Sequence, residues 1–396
     1  MRRINISMVL LVLALVVAVA GVFGVAKLVD NNHQGEGGPI EDIMPLKSAL
    51  RIEYTIFSEE PELILAPAKD YIEANGTVSI QTIMDDYQFS SDRLDVGLPV
   101  RIAYEIKGMP QDVEVTSAKL EVSEDALFTA PRKFTMGGVE CYADVYLLKT
   151  NTKHYFRITI ELSDGSTAGV HGTFTTAKTP RVLSIEGAGN VRDIGGWTTA
   201  DGSTVRQGLF YRGSELDGAV NTEYRITQKG IDHLLRVLKV RTQMDLRDKN
   251  ASAAVTNPLG ESVTHTTYGA PQYIDVFKEA NFATMRTIFA DLADENNYPI
   301  YMHDTLGMDQ VGTVCYILEA ALGMSDEDLM REYRLSILIN HGLHTEQMNA
   351  FLEQFSKLKG DSRQEKAETY LHGIGITQAQ IEAMREILLE PAEKTE

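Results

Sequence analysis

The sequence predicts an α/β domain with a central sheet flanked by helices and a helical C-terminal tail, preceded by an all-β sandwich and an N-terminal membrane helix. Three observations carry this. An apolar run from Ile6 to Ala26 follows Arg2 and Arg3; short strand-like segments between turn residues fill 48–176; and beyond Pro180 strands alternate with helical stretches, the pattern of a sheet layered with helices. The expected division is 1–29 anchor or signal peptide, 30–47 linker, 48–178 sandwich and 181–390 α/β domain. With 396 residues, 43% of them hydrophobic, the chain can bury the cores of about two or three domains.

The N-terminal run is long enough to cross a bilayer, which takes roughly 20 apolar residues in a helix. Both arginines precede it, so the positive-inside rule sends the bulk of the chain out of the cytoplasm. The expected location is the cell membrane, single-pass. Ala18-Val19-Ala20 offers the alternative, a cleavage site that would release a secreted protein. DNNHQGEGGPIED (30–42) is polar, glycine-rich and without periodicity, hence a linker.

In the next stretch PVRIAYEIKG, TSAKLEVSED, VECYADVYLL, HYFRITIELSDG and GVHGTFTT alternate or run apolar, as half-buried strands do. Leu148, Thr152 and the Phe156, Ile158 and Ile160 face resemble the last two strands of a fibronectin type III-like domain, with His154 in the usual corner-tyrosine slot. The expected part of His154 is structural. Cys141 and Cys315, far apart in sequence, offer no disulfide framework, and Cys315 falls among helical apolar positions.

Beyond Pro180, ITQKGIDHLLRVLK reads as helix, VRTQMDLR as strand, FATMRTIFADLAD as helix and YPIYMH as strand. The remainder reads as helical, with capping-type starts at Ser325/Asp328 and Thr377/Gln380. The net charge of −19 argues against nucleic-acid binding and against broad contact with anionic membranes.

Three ordered motifs lie in this part: GNVRDIGGWTTADGSTVRQGLFYRGSEL (189–216), VRTQMDLRD (240–248) and PIYMHDTLGMDQVGTVCYILEAALG (299–323). Together they resemble the bacterial tyrosine-phosphatase-like family related to dual-specificity and phosphoinositide cysteine phosphatases. The resemblance covers about 181–390 and implies the cysteine-phosphatase fold. It also implies a phosphate loop at the strand end, in which backbone N–H groups cradle phosphate at a helix N-terminus. A thiolate attacks phosphorus, an arginine grips the oxygens and an aspartic acid protonates the leaving group.

Laid on that pattern, His303, Thr305, Leu306, Gly307, Met308, Val311 and Gly312 are phosphate-loop positions, and Asp309 takes the general-acid position. Asp304 stands in place of the nucleophilic cysteine, Gln310 in place of the arginine, and Val311 in place of the following threonine. Asn190, Arg192, Asp193, Arg212, Asp245 and Arg247 match supporting positions, with an expected structural role of pinning the sheet edge to the loop. Asp304 is expected to accept the nest amides, which would depress its pKa and fill the cradle with a built-in anion. Asp275 sits where a mobile acid loop could lie, and the expected reading is a solvated carboxylate; Trp197 reads as a packing aromatic.

The expectation is a member of the phosphatase family lacking classical cysteine-phosphatase chemistry, which binds or scaffolds at the cell surface. No cofactor or metal is expected. Its partners would be a weakly held phosphorylated protein or lipid, or a cell-surface protein, with membrane contact through the N-terminal helix. The alternatives are an active phosphatase of altered or metal-assisted mechanism, and an adhesion or wall-binding module.

Overall fold

The computed structural model describes residues 50–87, 93–137, 141–248, 257–340 and 344–392. The predicted membrane helix and linker lie outside these residues; among those described, no helix is long and apolar enough to cross a membrane.

Seven strands form the N-terminal part: β1 (Arg51–Ile56), β2 (Val100–Lys107), β3 (Val115–Ser123), β4 (Arg132–Met136), β5 (Tyr142–Val145), β6 (Lys153–Leu162) and β7 (Thr167–Thr175). They make two antiparallel sheets, ordered β1-β2-β5 and β4-β3-β6-β7. The alternation in β6 shows why. His154, Phe156, Ile158, Ile160 and Leu162 are buried, while Lys153, Arg157 and Thr159 face solvent, as a pleat with one covered face requires. Phe156, Ile158, Ile160 and Leu162 share one core with Val100 and Ile102 of the other sheet, and Tyr54 of β1 meets Phe156 edge-on at 4.9 Å. His154 is buried, stacked on Phe174.

The all-β expectation for 48–178 fails between β1 and β2, where two helices stand, Ala66–Ala74 and Ile80–Asp86. Pro67 opens the first, its ring fixing a helical φ where the missing N–H costs nothing, and Ser79 caps the second by accepting from the Thr82 amide. Neither helix packs into the sandwich. Ala68, Tyr71, Ile80, Ile83, Met84 and Leu94 instead share a core with Leu335 and Leu338 of the α/β domain. Their apolar positions mark a tertiary contact over 240 residues away in sequence, so no local period announces it.

The α/β domain is built on β8 (Arg181–Val182), β9 (Arg192–Asp193), β11 (Phe210–Gly213), β12 (Thr242–Asp245), β13 (Thr264–Thr267) and β14 (Ile300–His303). The sheet order is β13-β12-β14-β11-β9-β8. Its first four strands are parallel and the last two antiparallel. Every residue of β11, β12 and β14 is buried, as expected of parallel strands covered on both faces. Against the sheet lies the Gln310–Leu322 helix, buried from Val311 onward, with Cys315 in its apolar core. Burial pushes the Cys315 thiol up.

The tail supplies the Asp326–Arg334, Thr345–Ser356, Arg363–Gly373 and Gln378–Leu388 helices. Thr377 and Gln380 form a reciprocal capping box, whereas Ser325 accepts from the Asp328 amide without the reciprocal bond. The tail is not wholly helical, since β15 (Leu389–Glu390) pairs with β10 (Thr204–Val205). Two-residue strands carry no period to read. Trp197 is a packing aromatic, half-buried between two cores.

Candidate functional site

The parallel strands bring their C-terminal ends to one edge, where His303 is in register with Gly213 of β11 and Asp245 of β12. From His303 the chain runs through residues 304–309 and enters the Gln310–Leu322 helix. Gly307 makes the turn at a φ of 70°, and a Cβ there would stand 2.5 Å from the Gly213 backbone. Only glycine meets both conditions.

Asp304 lies inside this loop, 2% exposed. Its Oδ1 accepts from the amides of Leu306 (2.9 Å), Gly307 (2.5 Å) and Met308 (3.2 Å), and its Oδ2 from that of Val311 (3.0 Å). Converging amides at a helix start form an anion nest, and the anion in it is the protein's own carboxylate. The expected depression of its pKa is corrected. Burial lifts the carboxyl above the usual aspartate range and the charge of Asp309 adds to this, while the amides oppose it without prevailing.

Asp309 is the last residue before the helix. It accepts from the Tyr273 hydroxyl (2.7 Å) and pairs with His344 Nδ1 (2.6 Å). The Tyr273 hydroxyl also stands 3.0 Å from that of Tyr333. Gln310, half-buried, opens the helix, and Met308 is buried. Asp275 pairs with Lys278 at the surface.

A second layer fixes the loop carbonyls. Asn190 Nδ2 donates to the carbonyls of Leu306 (3.0 Å) and Gly307 (2.9 Å), and Arg212 Nη2 to that of Gly307 (2.8 Å). Glu332 sits between two guanidinium groups, taking Arg192 Nε at 2.6 Å and Arg212 Nη1 at 2.7 Å. Against the upward push of burial, the two arginines hold the Glu332 carboxyl below its usual range. Asp193 does not reach the loop. It pairs with Arg181 at 2.6 Å and accepts from the Gly195 and Gly208 amides, and Arg181 donates in turn to the Leu147 and Leu148 carbonyls. Its part in pinning the loop is corrected to a joint with the sandwich.

Arg247 is ringed by carboxylates: Asp245 at 2.7 Å, Asp217 at 2.6 Å, and Glu215. Asp245 Oδ1 lies 3.9 Å from His303 Nδ1. Burial alone would raise Asp245, yet His265, Arg247 and the nearby His303 hold it well below the usual range. Burial also depresses His303 to about 4. Glu332, Glu215, Asp217, Tyr273 and His344 were not read from the sequence. Each is a counter-charge or hydroxyl on a different element, and single charged residues in a helix or loop carry no local signal of such a partner. Asp95 is another, its carboxylate accepting from the Asn190 amide at 2.7 Å.

Near the arginines lies Glu319, fully buried, with neither carboxylate oxygen hydrogen-bonded among the described residues. Burial and the charge of Glu332 raise it well above the usual glutamate range, against the pull of Arg212 and Arg192. The folded state therefore keeps a proton that the unfolded chain releases above about pH 4.3. Stability from this group is fully present below that pH and lost as pH rises. Glu319→Gln, a mimic of the neutral acid, is expected to raise Tm at pH 7.5, with the gain shrinking towards pH 4 in thermal unfolding. A gain independent of pH would contradict the assignment.

A mixed, mainly parallel sheet flanked by helices, with an amide nest where a strand end turns into a helix, is the layout of a phosphatase-type α/β domain. The tyrosine phosphatase family model matches residues 183–390, more than half of the chain, and the chain belongs to that family. No curated protein matches it. Among solved structures it is similar to the core catalytic domain of the PP-IP phosphatase SIW14 from S. cerevisiae in complex with citrate, at 12% identity and a TM-score of 0.27, covering 41% of this chain and 90% of that one. A second structure of the Siw14 catalytic core gives 12% identity and a TM-score of 0.28, covering 48% and 95%.

Proposed function

We propose that this protein is a pseudophosphatase, a tyrosine-phosphatase-family domain whose phosphate loop binds or presents rather than hydrolyses. The observation that carries this reading is the carboxylate of Asp304 in the amide nest, on the acceptor side of four N–H groups. A second anion about 4 Å away would meet on the order of 4 kcal/mol of repulsion per unit charge at an effective dielectric of 20. Gln310 at the helix start offers no bidentate cationic grip in compensation, and the Asp304 oxygens are already engaged by four backbone amides rather than free to attack phosphorus.

The accompanying sandwich is taken as a fibronectin type III-like module, supported by its three- and four-stranded sheets. With the apolar N-terminal run, it suits a scaffold on the outer face of a membrane, or one secreted from it. The ligand would be a surface protein, or a phosphorylated protein or lipid held weakly. The test is phosphate release from an aryl phosphate by the purified protein, with and without Mg²⁺, beside the double variant Asp304→Cys/Gln310→Arg. The natural protein is expected to be silent and the double variant to turn over. Release by the natural protein, abolished by Asp304→Asn, would instead establish an aspartate-based phosphohydrolase.

A further inference from the structure

Three parallel strands bring together Asp245, opposite His303, and His265, opposite Gln243 two residues back from the edge that carries the loop, with one donor atom from each lying within 4.8 Å of the others. Asp245 Oδ2 stands 3.8 Å from His265 Nε2, and Asp245 Oδ1 stands 3.9 Å from His303 Nδ1. Both separations are too long for hydrogen bonds. Both fit two ligands bridged by one ion with bonds of about 2.0–2.2 Å.

We propose that this cluster binds a divalent transition-metal ion of the zinc type through Asp245, His265 and His303. Two further observations point to a cation. The first is buried polar atoms without hydrogen-bond partners among the described residues: His265 Nε2 has none, and neither does Oε1 of Gln243, a residue 1% exposed. Gln243 Nε2 lies 2.9 Å from His303 Nε2. Turning that amide over, an exchange of nearly identical atoms, lets Oε1 accept an Nε2–H proton and turns Nδ1, which stands 3.3 Å from the Asp304 carbonyl, from a donor into a ligand. A metal-binding histidine is commonly oriented in this way through its other nitrogen.

The second observation is charge. Arg247 faces three carboxylates, Asp245, Asp217 and Glu215, which leaves two negative charges uncompensated. Burial pushes Glu215 up, and with Glu215 neutral one negative charge still remains. Arg247 gives Asp245 Oδ1 two hydrogen bonds, from its backbone amide and its Nε, and gives Oδ2 one, from Nη2, so Oδ2 keeps a further lone pair for an ion. Two imidazoles and one carboxylate suit zinc or a similar ion better than Mg²⁺ or Ca²⁺, which prefer all-oxygen shells. The site does not depend on whether the neighbouring loop turns over phosphate.

The test is titration of the chelator-treated full chain with Co²⁺, followed by visible absorption, and then displacement by Zn²⁺. One equivalent is expected to bind and to be displaced. His265→Gln should weaken binding at least about 100-fold, beyond the 10–100-fold typical of a lost supporting contact. His171→Gln, on the exposed face of the sandwich, should leave binding unchanged. Absence of stoichiometric binding, or equal binding by His265→Gln, overturns the proposal. Should that variant fail to fold, X-ray absorption at the zinc edge of the natural protein decides the matter: two imidazoles support the site, and an oxygen-only shell refutes it.

Discussion

Asp304→Ala is expected to destabilise the protein in anion-free buffer and to make it respond to phosphate. The substitution removes the side chain that accepts from the four nest amides, and each buried donor left unsatisfied costs about 1–3 kcal/mol. Water entering the emptied space offsets part of this, so a net loss of about 3 kcal/mol is a reasonable expectation. For a domain of this size that is a fall in Tm of roughly 6–12 °C. Phosphate or tungstate, binding the folded form alone, should return about 2.7 kcal/mol at a concentration 100 times its Kd. The natural protein should show no such rescue, because its nest already holds an anion. Thermal unfolding at constant ionic strength, with and without phosphate, reads both effects. An equal response from the two proteins would mean that Asp304 does not exclude phosphate.

The second large effect is expected at Glu332. Arg192 and Arg212 are 2% and 0% exposed, and this one carboxylate bridges them. Glu332→Gln keeps the shape and removes the charge, leaving two buried guanidinium groups against each other. Breaking a buried pair by deleting one partner costs about 3–5 kcal/mol. Because Arg212 also holds the Gly307 carbonyl, the loop should loosen along with the loss of stability. Denaturant midpoints read the stability, and hydrogen exchange at the 304–311 amides reads the loop. A change below about 1 kcal/mol would show that Glu319 or water takes over the charge, an outcome that the two buried arginines argue against.

Much of the α/β domain is legible in the sequence because strand-like segments alternate with helical stretches beyond Pro180. YPIYMH and VRTQMDLR announce themselves in this way, and the Gly307 turn follows from local backbone geometry. The strands β8 and β9 do not, since two residues have no period and their pairing is set by partners elsewhere in the chain. At the site, the loop residues are contiguous and therefore readable, whereas Glu332, Tyr273 and His344 come from separate elements that only the fold brings together. The Asp245, His265 and His303 cluster is hidden for the same reason, its members being neighbours across strands rather than along them. The pKa of Asp304 was misjudged because amides can be counted from a motif, but the extent to which water is excluded cannot.

Modules joined by a single tether can be shuffled, trimmed or cut apart one at a time. Here the chain passes from the sandwich to the α/β domain after β1, returns before β2, and passes across again near Pro180. On that detour the Leu94 amide donates to the Leu338 carbonyl and Asp95 takes the amide of Asn190, whose side chain grips the loop. An excised 181–390 fragment would therefore lose a wall of its own interior, and a recombination event at residue 180 would strand two apolar helices on the other side. The two halves thus share an interior, with the front module serving as part of the rear module's hull.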